Sequence, residues 1–529
     1  MQTSAPPAPA DQAMLRELIR LTHALSAERH LPRLYTQIIT AAQAFTHADG
    51  GTLYILEGQG LAQGLRFEVM RTLSLNIRSG GDSGEVIDLK PIPLWLEDGQ
   101  PNRRNVCAHV WHQGTAVNIA DAYEVEDFDF SGTRAFDHAM GYRTVSLLTL
   151  PLQNHAGDVI GILQLVNAQD PATGQVRAFD PAIEPLVLAL ASSAAVTLDK
   201  QQLLQGHKDL LDAFIRTIAQ AIDAKSAHTS AHCQRVPVLT ELMAQAACNA
   251  EHGPLKDFSL DEEGWYELRV AAWLHDCGKL ATPDSLLDKS TKLHALSDRI
   301  ETIQARYAAL IAQETLAAAG RPDDGLAARL ERLRDDCAFL ERANIGGEFM
   351  RPEDQQRVRD IAATTWTDQT GATRPLLTDD EVEMLCIARG TLNGAERQRI
   401  NQHIDVTLQM LEAMPFPKTL ARVPEYAGGH HEKIDGTGFP RGLTGDQMSW
   451  PARMMAIADI FEALTARDRP YKPPMPLSQA LSILRDMRDR RHIDADLYEL
   501  FLEARVWERY AREHLLAEQM DVEDATAWR

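Results

Sequence analysis

Short apolar runs bounded by turn residues fill the first third of the chain, and helical spacing of apolar residues fills most of the rest. GTLYILEG (51–58) is apolar and bracketed by glycines, which predicts a strand. TVSLLTLPL and DVIGILQLV flank the turn QNHAGD and predict an antiparallel hairpin. Residues from about Ala13 to Pro181 thus read as an α/β unit of sensor size. From Ile183 to about Lys225 only Pro185 and Gly206 interrupt the pattern, and Leu204, Leu211, Phe214 and Ile218 recur near helical spacing. This predicts a long connecting helix with two readings open: a rigid spacer, or a parallel dimer seam that holds His207 at a core-type position. From Thr217 onward the chain is almost wholly helical in pattern. Within it, Leu326, Leu330, Leu333, Cys337 and Leu340 keep a heptad spacing, as do Ile300, Ile303, Tyr307 and Leu310 upstream. The breaker GRPDDG lies between the two runs, so an antiparallel helical hairpin is expected inside a charged insertion of about 290–389. No chemistry is visible there, which favours a scaffold or interaction arm.

A chain of 529 residues is too long for one core. The pattern divides it into a lead (1–12), an α/β domain (13–182), a connecting helix (183–216) and an all-α domain (217–529) carrying the insertion. Hydrophobic residues at 44% and charged residues at 24% fit a globular protein. No apolar run approaches the length of a membrane span, and MQTSAPPAPADQ has neither the charged nor the apolar region of a signal peptide. Six cysteines without paired spacing suit free thiols in a reducing cytoplasm. The formal net charge of −22 argues against general affinity for nucleic-acid polymers or anionic lipid. An anionic substrate then needs metal ions or a few placed cations beside it.

Candidate ligands are scattered along the helical part. YELRVAAWLHDCGKL (266–280) reads as an amphipathic helix burying Val270, Trp273, Leu274 and Cys277, with His275 and Asp276 at the edge of its apolar face and Lys279 on the side of His275. ARMMAIADIFEALT (452–465) is apolar nearly all round, yet holds Asp459 at its middle. A buried carboxylate costs several kcal/mol unless something positive offsets it, and a metal ion is a good partner. GAERQRINQHIDVTLQML carries His403 beside Ile400, Ile404 and Leu408. SAHTSAHCQRV places His232 four residues after His228, one above the other on a helix. The run HHEKIDGTGFP (430–440) adds His430 and His431 and a loop stiffened by Gly436, Gly438 and Pro440. Singly, each histidine more often belongs to a core. Together, His232, His275, Asp276, His403, His430, His431 and Asp459 suit Fe, Mn or Zn, and a bridging carboxylate suits a pair of ions.

HTSAHCQRV, LHDCGKL, RINQHI, HHEKIDGTGFPRGL and AIADIFEALTARDRPYK, in that order, resemble the HD-GYP family of metal-dependent cyclic dinucleotide phosphodiesterases over about Thr217 to Leu484. The resemblance implies an all-helical domain with two or three metal ions, usually Fe or Mn, that hydrolyses cyclic di-GMP to pGpG and in some members to GMP. It implies that the seven residues above are the ligands; among them Asp276, which adjoins His275, is the choice for a carboxylate that must see both ions. Lys279 matches the lysine near the reacting phosphate, and Arg469 and Lys472 match positions that hold substrate. Gly436 and Gly438 shape a loop expected to wall the substrate cleft. Three features depart from the family. Phe439 replaces the tyrosine of the GYP tripeptide. His228 stands where three-metal members carry a glutamate, so two ions are expected and a third depends on that imidazole. TARDRPYK is one residue longer than the common spacing. Hydrolysis of another cyclic dinucleotide such as cyclic GMP–AMP, or a non-catalytic receptor for cyclic di-GMP, are the alternatives. HADGGTLYILEG, GYRTVSLLTLPLQNHAGDVIGILQLVNA and AFD resemble a GAF domain over most of Leu31 to Ala195. Asn167 is followed by Ala168, and Phe179-Asp180 by Pro181, so the lysine and glutamate of the cyclic-nucleotide-binding motif are absent. A small-molecule ligand on this domain and a structural role in a homodimer both remain open.

Overall fold

The structure, a computed structural model of the chain, describes residues 9–225, 231–319, 324–346, 349–466 and 474–529, with side chains from residue 14 onward. It divides into two compact units, residues 1–210 and 211–529.

In the first unit, α1 (Pro9–Ala27) and α2 (Leu31–Thr46) precede β1 (Ala48–Glu57), β2 (Gly64–Thr72), β3 (Ile77–Gly80) and β4 (Ile92–Pro93). Then follow α3 (Val106–Gln113), β5 (Val117–Ile119), α4 (Ser131–Met140), β6 (Leu147–Gln153), β7 (Val159–Gln169) and β8 (Val176–Arg177). The antiparallel sheet has the order β3-β2-β1-β7-β6-β5, with β4 on β2 and β8 on β7. β6 and β7 form the expected hairpin, and its turn closes where Asn154 Oδ1 accepts from the N–H groups of Ala156 and Asp158. These strands read as continuous apolar runs because both faces of the sheet are covered. Leu53, Ile55, Leu148, Leu150, Leu163 and Leu165 join a core with α2, whereas Tyr54, Leu147 and Ile162, between them in sequence, join another with Val106, Cys107 and Val110 of α3. Asn167 accepts from the N–H groups of Val145 and Ser146 and donates to Tyr142 Oη and the Arg143 carbonyl, so its amide is spent inside the fold.

The helix α5 (Glu184–Lys225) begins in this unit, where Val187, Leu190, Ala191, Ala194, Ala195 and Leu198 face the α2 core. Past the unit boundary, Ile215, Ala219 and Ile222 enter the core of the second unit, and Leu211 and Ile218 pack against that core. Two members of the expected seam therefore have partners within their own unit, while Leu204 and Phe214 are 52% and 60% exposed.

The second unit continues with α6 (His232–Cys248), α7 (Glu262–Leu274) and α8 (Asp284–Leu287). The insertion comprises α9 (Ile300–Ala317), α10 (Leu326–Asn344), α11 (Pro352–Ala362), the ribbon β9 (Thr365–Thr367)–β10 (Thr373–Pro375) and α12 (Asp379–Leu385). The expected hairpin is α9 and α10, with Ile303, Tyr307, Leu310 and Leu340 at its seam. It is larger than a hairpin, because Val358, Ile361, Leu376 and Leu385 complete a core of its own. Then come α13 (Gly394–Asn401), α14 (His403–Ala413), α15 (Val423–Gly428), α16 (Trp450–Thr465), α17 (Leu477–Asp489), α18 (Ala495–Glu503) and α19 (Val506–His514). The buried helix α16 contributes Met454, Met455, Ile457, Ala458 and Phe461 to the main core.

Two local expectations are corrected. The helix expected over 266–280 ends at Leu274, and residues Cys277–Ala281 turn in a tighter 3₁₀ helix. The break accommodates a close approach: Gly278 N–H donates to Thr407 Oγ1 at 2.9 Å, and a Cβ on Gly278 would stand 1.9 Å from the His403 carbonyl oxygen. The helix expected through 394–411 is two helices, α13 and α14, that meet at Gln402. His232 stands at a helix N-terminus. It opens α6, behind Ala231 in the left-handed region at φ 63°. His228, Arg469 and Lys472 lie outside the described residues.

Candidate metal centre

Five segments bring their histidines and carboxylates to one place. α6 supplies His232 from its first position, the turn after α7 supplies His275 and Asp276, α14 supplies His403 from its first position, and α16 supplies Asp459. The turn after α15 supplies His430 and His431. All are buried except His431, which is partly buried. The nearest ring atoms and carboxylate oxygens fall into two groups, His232 with His275 and Asp276, and His403 with His430 and His431, each within 4.8 Å. Asp276 faces both. Its Oδ2 lies 3.3 Å from the Nε2 atoms of His232 and His275, and its Oδ1 lies 3.2 Å from His403 Nε2. Asp459 Oδ1 is 3.2 Å from His232 Nε2 and 3.9 Å from His275 Nε2.

The backbone fixes the ring orientation of three histidines. Nδ1 of His275, His403 and His430 each meets the carbonyl three residues earlier, on Ala272, Ile400 and Ala427, at 2.8, 2.7 and 2.6 Å. A carbonyl only accepts, so Nδ1 carries the proton and Nε2 is left with its lone pair. Those three Nε2 atoms, together with Asp276 Oδ1, are buried and have no hydrogen-bond partner. Buried polar atoms are rarely orphaned, and four orphaned acceptors that converge fit a bound cation.

The electrostatics agree with that fit. Burial disfavours charge on His232, yet Asp276, Asp459 and Glu462 outweigh it and raise its pKa well above the ordinary histidine range. Burial likewise opposes ionisation of Asp276, but Lys279 and the neighbouring imidazoles hold its pKa well below the usual carboxylate range. Asp459 is held down against burial by His232, His430 and His431. Burial pushes His430 well below the ordinary range, with His431 and His275 adding to it, and takes His431 down to about 4. The acidic part of the cluster attracts positive charge while two of its imidazoles stay neutral, the form in which histidine ligates metal. Lys279 Nζ sits 2.5 Å from Asp276 Oδ2. Burial lowers its pKa, but Asp276 and Asp459 outweigh that and keep it above the ordinary lysine value. Because the helix ends before it, Lys279 reaches back three residues to Asp276 rather than stacking on His275.

The loop after His431 is tied to itself. Glu432, 3% exposed, accepts from the N–H groups of Arg441 at 2.7 Å and Leu443 at 2.9 Å. Gly438 lies so close to residues 432 and 433 that a Cβ would stand 2.4 Å from the Lys433 nitrogen, and Gly436 turns the chain at φ 80°. Phe439 N–H donates to the His431 carbonyl at 3.2 Å, and the Phe439 ring packs on the His431 imidazole at a centroid distance of 4.9 Å. Sequence reasoning missed Glu432, Gly278, Thr407, Arg235 and Glu462. Glu462 lies three residues after Asp459, one turn along the same buried helix, and that spacing was the available signal.

Two family models match the chain: the GAF domain over residues 30–198 and the HD domain over residues 379–497. The HD match contains His403, His430, His431 and Asp459. His232, His275 and Asp276 lie ahead of it, across the insertion. Over 286 residues the chain is 27% identical to the 3′3′-cGAMP-specific phosphodiesterase 3 of Vibrio cholerae, covering 53% of this chain and 37% of that protein. It is 37% identical over 113 residues to the 3′3′-cGAMP-specific phosphodiesterase 1 of the same organism, covering 21% of this chain and 25% of that protein. A cyclic di-GMP phosphodiesterase of Pseudomonas aeruginosa is 40% identical over 115 residues, 22% of this chain and 27% of that one. The chain thus spans less than two fifths of the length of each of these relatives. Among the described residues, no helix is long and apolar enough to cross a membrane. By its two matched models the chain joins a GAF domain to an HD domain, and the relatives that align with it are named as cyclic dinucleotide phosphodiesterases.

Proposed function

We propose that the second unit is a two-metal phosphodiesterase acting on a cyclic dinucleotide, with cyclic di-GMP as substrate and pGpG, or GMP after a second cut, as product. The observation that carries this reading is the set of four orphaned buried atoms, on His275, Asp276, His403 and His430, facing one another. His232, His275 and Asp459 would hold one ion, His403, His430 and His431 the other, and Asp276 would face both. When bound, two divalent ions, Fe or Mn on this donor set, neutralise phosphoryl charge and lower the pKa of water towards about 7. Lys279 adds a fixed ammonium beside Asp276. Its position beside Asp276 suits electrostatic stabilisation of the phosphoryl oxygens. Glu432, Gly436 and Gly438 hold the 430–443 loop closed, and that loop forms a wall beside the histidines. The Phe439 ring already packs on His431 without a hydroxyl, which supports retention of the loop's position despite the missing tyrosine. Arg469 and Lys472 would meet the substrate's second phosphate.

The second reading keeps the chemistry and changes the base. The 286-residue alignment to a 3′3′-cGAMP-specific enzyme favours cyclic GMP–AMP as substrate. Protein purified without oxygen and assayed for metal is given each dinucleotide, and its products are resolved. Turnover of one or both, lost in the His275→Ala/Asp276→Ala variant with helical content kept, is expected; turnover that survives in this variant refutes the site. For the first unit, Val196, Leu203 and Leu210 stand seven residues apart on α5 and are 49%, 54% and 56% exposed, a ladder that fits a second copy of the helix. A homodimer then places two GAF domains side by side, with a small ligand on the domain as the regulatory input.

A further inference from the structure

His275, His403 and His430 each follow a turn of helix, and that turn supplies the carbonyl that takes Nδ1. His232 is oriented by a different element. It is the first residue of α6, and Ala231 before it is left-handed. Its Nδ1 is met instead by Glu462 Oε2. The other oxygen of Glu462 accepts from Arg235 Nε at 2.6 Å, and Arg235 stands one turn after His232 on α6. Glu462 is 1% exposed and sits one turn after Asp459 on α16. One helix therefore presents a carboxylate to each side of the His232 ring: Asp459 at Nε2, 3.2 Å away, and Glu462 at Nδ1.

We propose that Glu462 is the positioning residue that turns His232 Nε2 towards the metal centre, doing for this histidine what backbone carbonyls do for His275, His403 and His430. The inference rests on the two-metal reading above. A carboxylate also makes the imidazole a stronger donor than a carbonyl does, and loss of such a partner commonly weakens metal binding by about 10–100-fold. Glu462 touches no member of the His403, His430 and His431 group, so only the ion on the His232 side is affected. Arg235 fixes the carboxylate in turn, and the arrangement is a relay from α6 through α16 back to α6.

The test is calorimetric titration of chelator-treated protein with Mn2+, the probe ion, without substrate. Wild type is expected to take up two ions per chain. In Glu462→Gln the affinity for one ion falls about 10–100-fold while that for the other holds. His232→Ala loses the same ion, and His232→Ala/Glu462→Gln loses no more than His232→Ala alone, because Glu462 acts only through that ring. Glu462→Asp keeps the charge opposite Arg235 and reaches one methylene less, so it serves as the test should Glu462→Gln fail to fold, and it weakens the same ion. Wild-type affinity at both ions in both variants at position 462 overturns the proposal, as does additivity in the double variant or equal loss of both ions. Failure of the underlying reading looks different: wild type itself takes up no Mn2+.

Discussion

Replacement of Gly278 by alanine tests how tightly the metal centre is built. Gly278 lies two residues after Asp276, in the turn that crosses the start of α14. A Cβ there stands 1.9 Å from the His403 carbonyl oxygen, 2.6 Å from the Thr407 nitrogen and 2.8 Å from Thr407 Oγ1. Real Cβ contacts essentially never fall below 3.0 Å, so the turn and α14 must part by about 1.1 Å. The two nearest atoms are backbone, and no rotamer relieves them. The backbone angle of Gly278 is not in the left-handed region, so the penalty is steric alone. The contact to be opened joins the Asp276 turn to the residue that carries His403, whose Nε2 is 3.2 Å from Asp276 Oδ1. Overpacking of this kind costs about 1–3 kcal/mol, and a misplacement near 1 Å at a catalytic group costs about 10²-fold in rate. Gly278→Ala is therefore expected to lower the urea midpoint of the chelated protein and to cut turnover at saturating Mn2+ by about that factor. Gly394, at the start of α13 with nothing within 4 Å of its added Cβ, is the control, and Gly394→Ala should leave both unchanged or gain slightly in stability. Wild-type stability and turnover in Gly278→Ala would refute the close approach and, with it, the coupling of Asp276 to α14.

Glu432→Gln leaves one carbonyl oxygen to serve two N–H groups, those of Arg441 and Leu443. The loop should loosen at a cost of about 1–3 kcal/mol, read as a lower urea midpoint and faster proteolysis between 432 and 443; equal proteolysis would sink this account. Lys292 is 2% exposed, and its Nζ donates to the Leu385 carbonyl at 2.9 Å and meets Met350 Sδ at 3.4 Å, with no carboxylate among those contacts. Burial pushes its pKa below the ordinary lysine value, so the unfolded chain binds more protons than the folded one between the two values. Wild type should thus gain stability relative to Lys292→Met as pH rises from 7 to 10 in paired urea titrations, and a flat difference would refute the buried ammonium.

The parts of the fold that read clearly are those where one physical signal sufficed. Asp459 stood out because a lone acid in an apolar helix needs a positive partner, and the α9–α10 hairpin because its seam is internal to a short segment. Where the sequence misled, two explanations were compatible with one pattern. Leu211 and Ile218 keep helical spacing whether they face a second copy or their own unit, and only the packing of α5 distinguishes these. The apolar period through 266–277 continues past the end of α7, because Cys277 is buried by the turn as it would be by a helix. Glu462 was legible only after His232 was placed. A glutamate one turn from Asp459 resembles a solvated end of the helix until the His232 ring is placed against it. The same reasoning explains why the centre depends on neighbours with no ligand chemistry. Three of its five imidazoles are oriented by the turns that precede them, and His232 is oriented by Glu462. Precision at that histidine must come from a second helix, α16, which already contributes Asp459. A change that rotates α16 by even part of a turn therefore moves both carboxylates on His232 together, while the His403 group keeps its own backbone anchors.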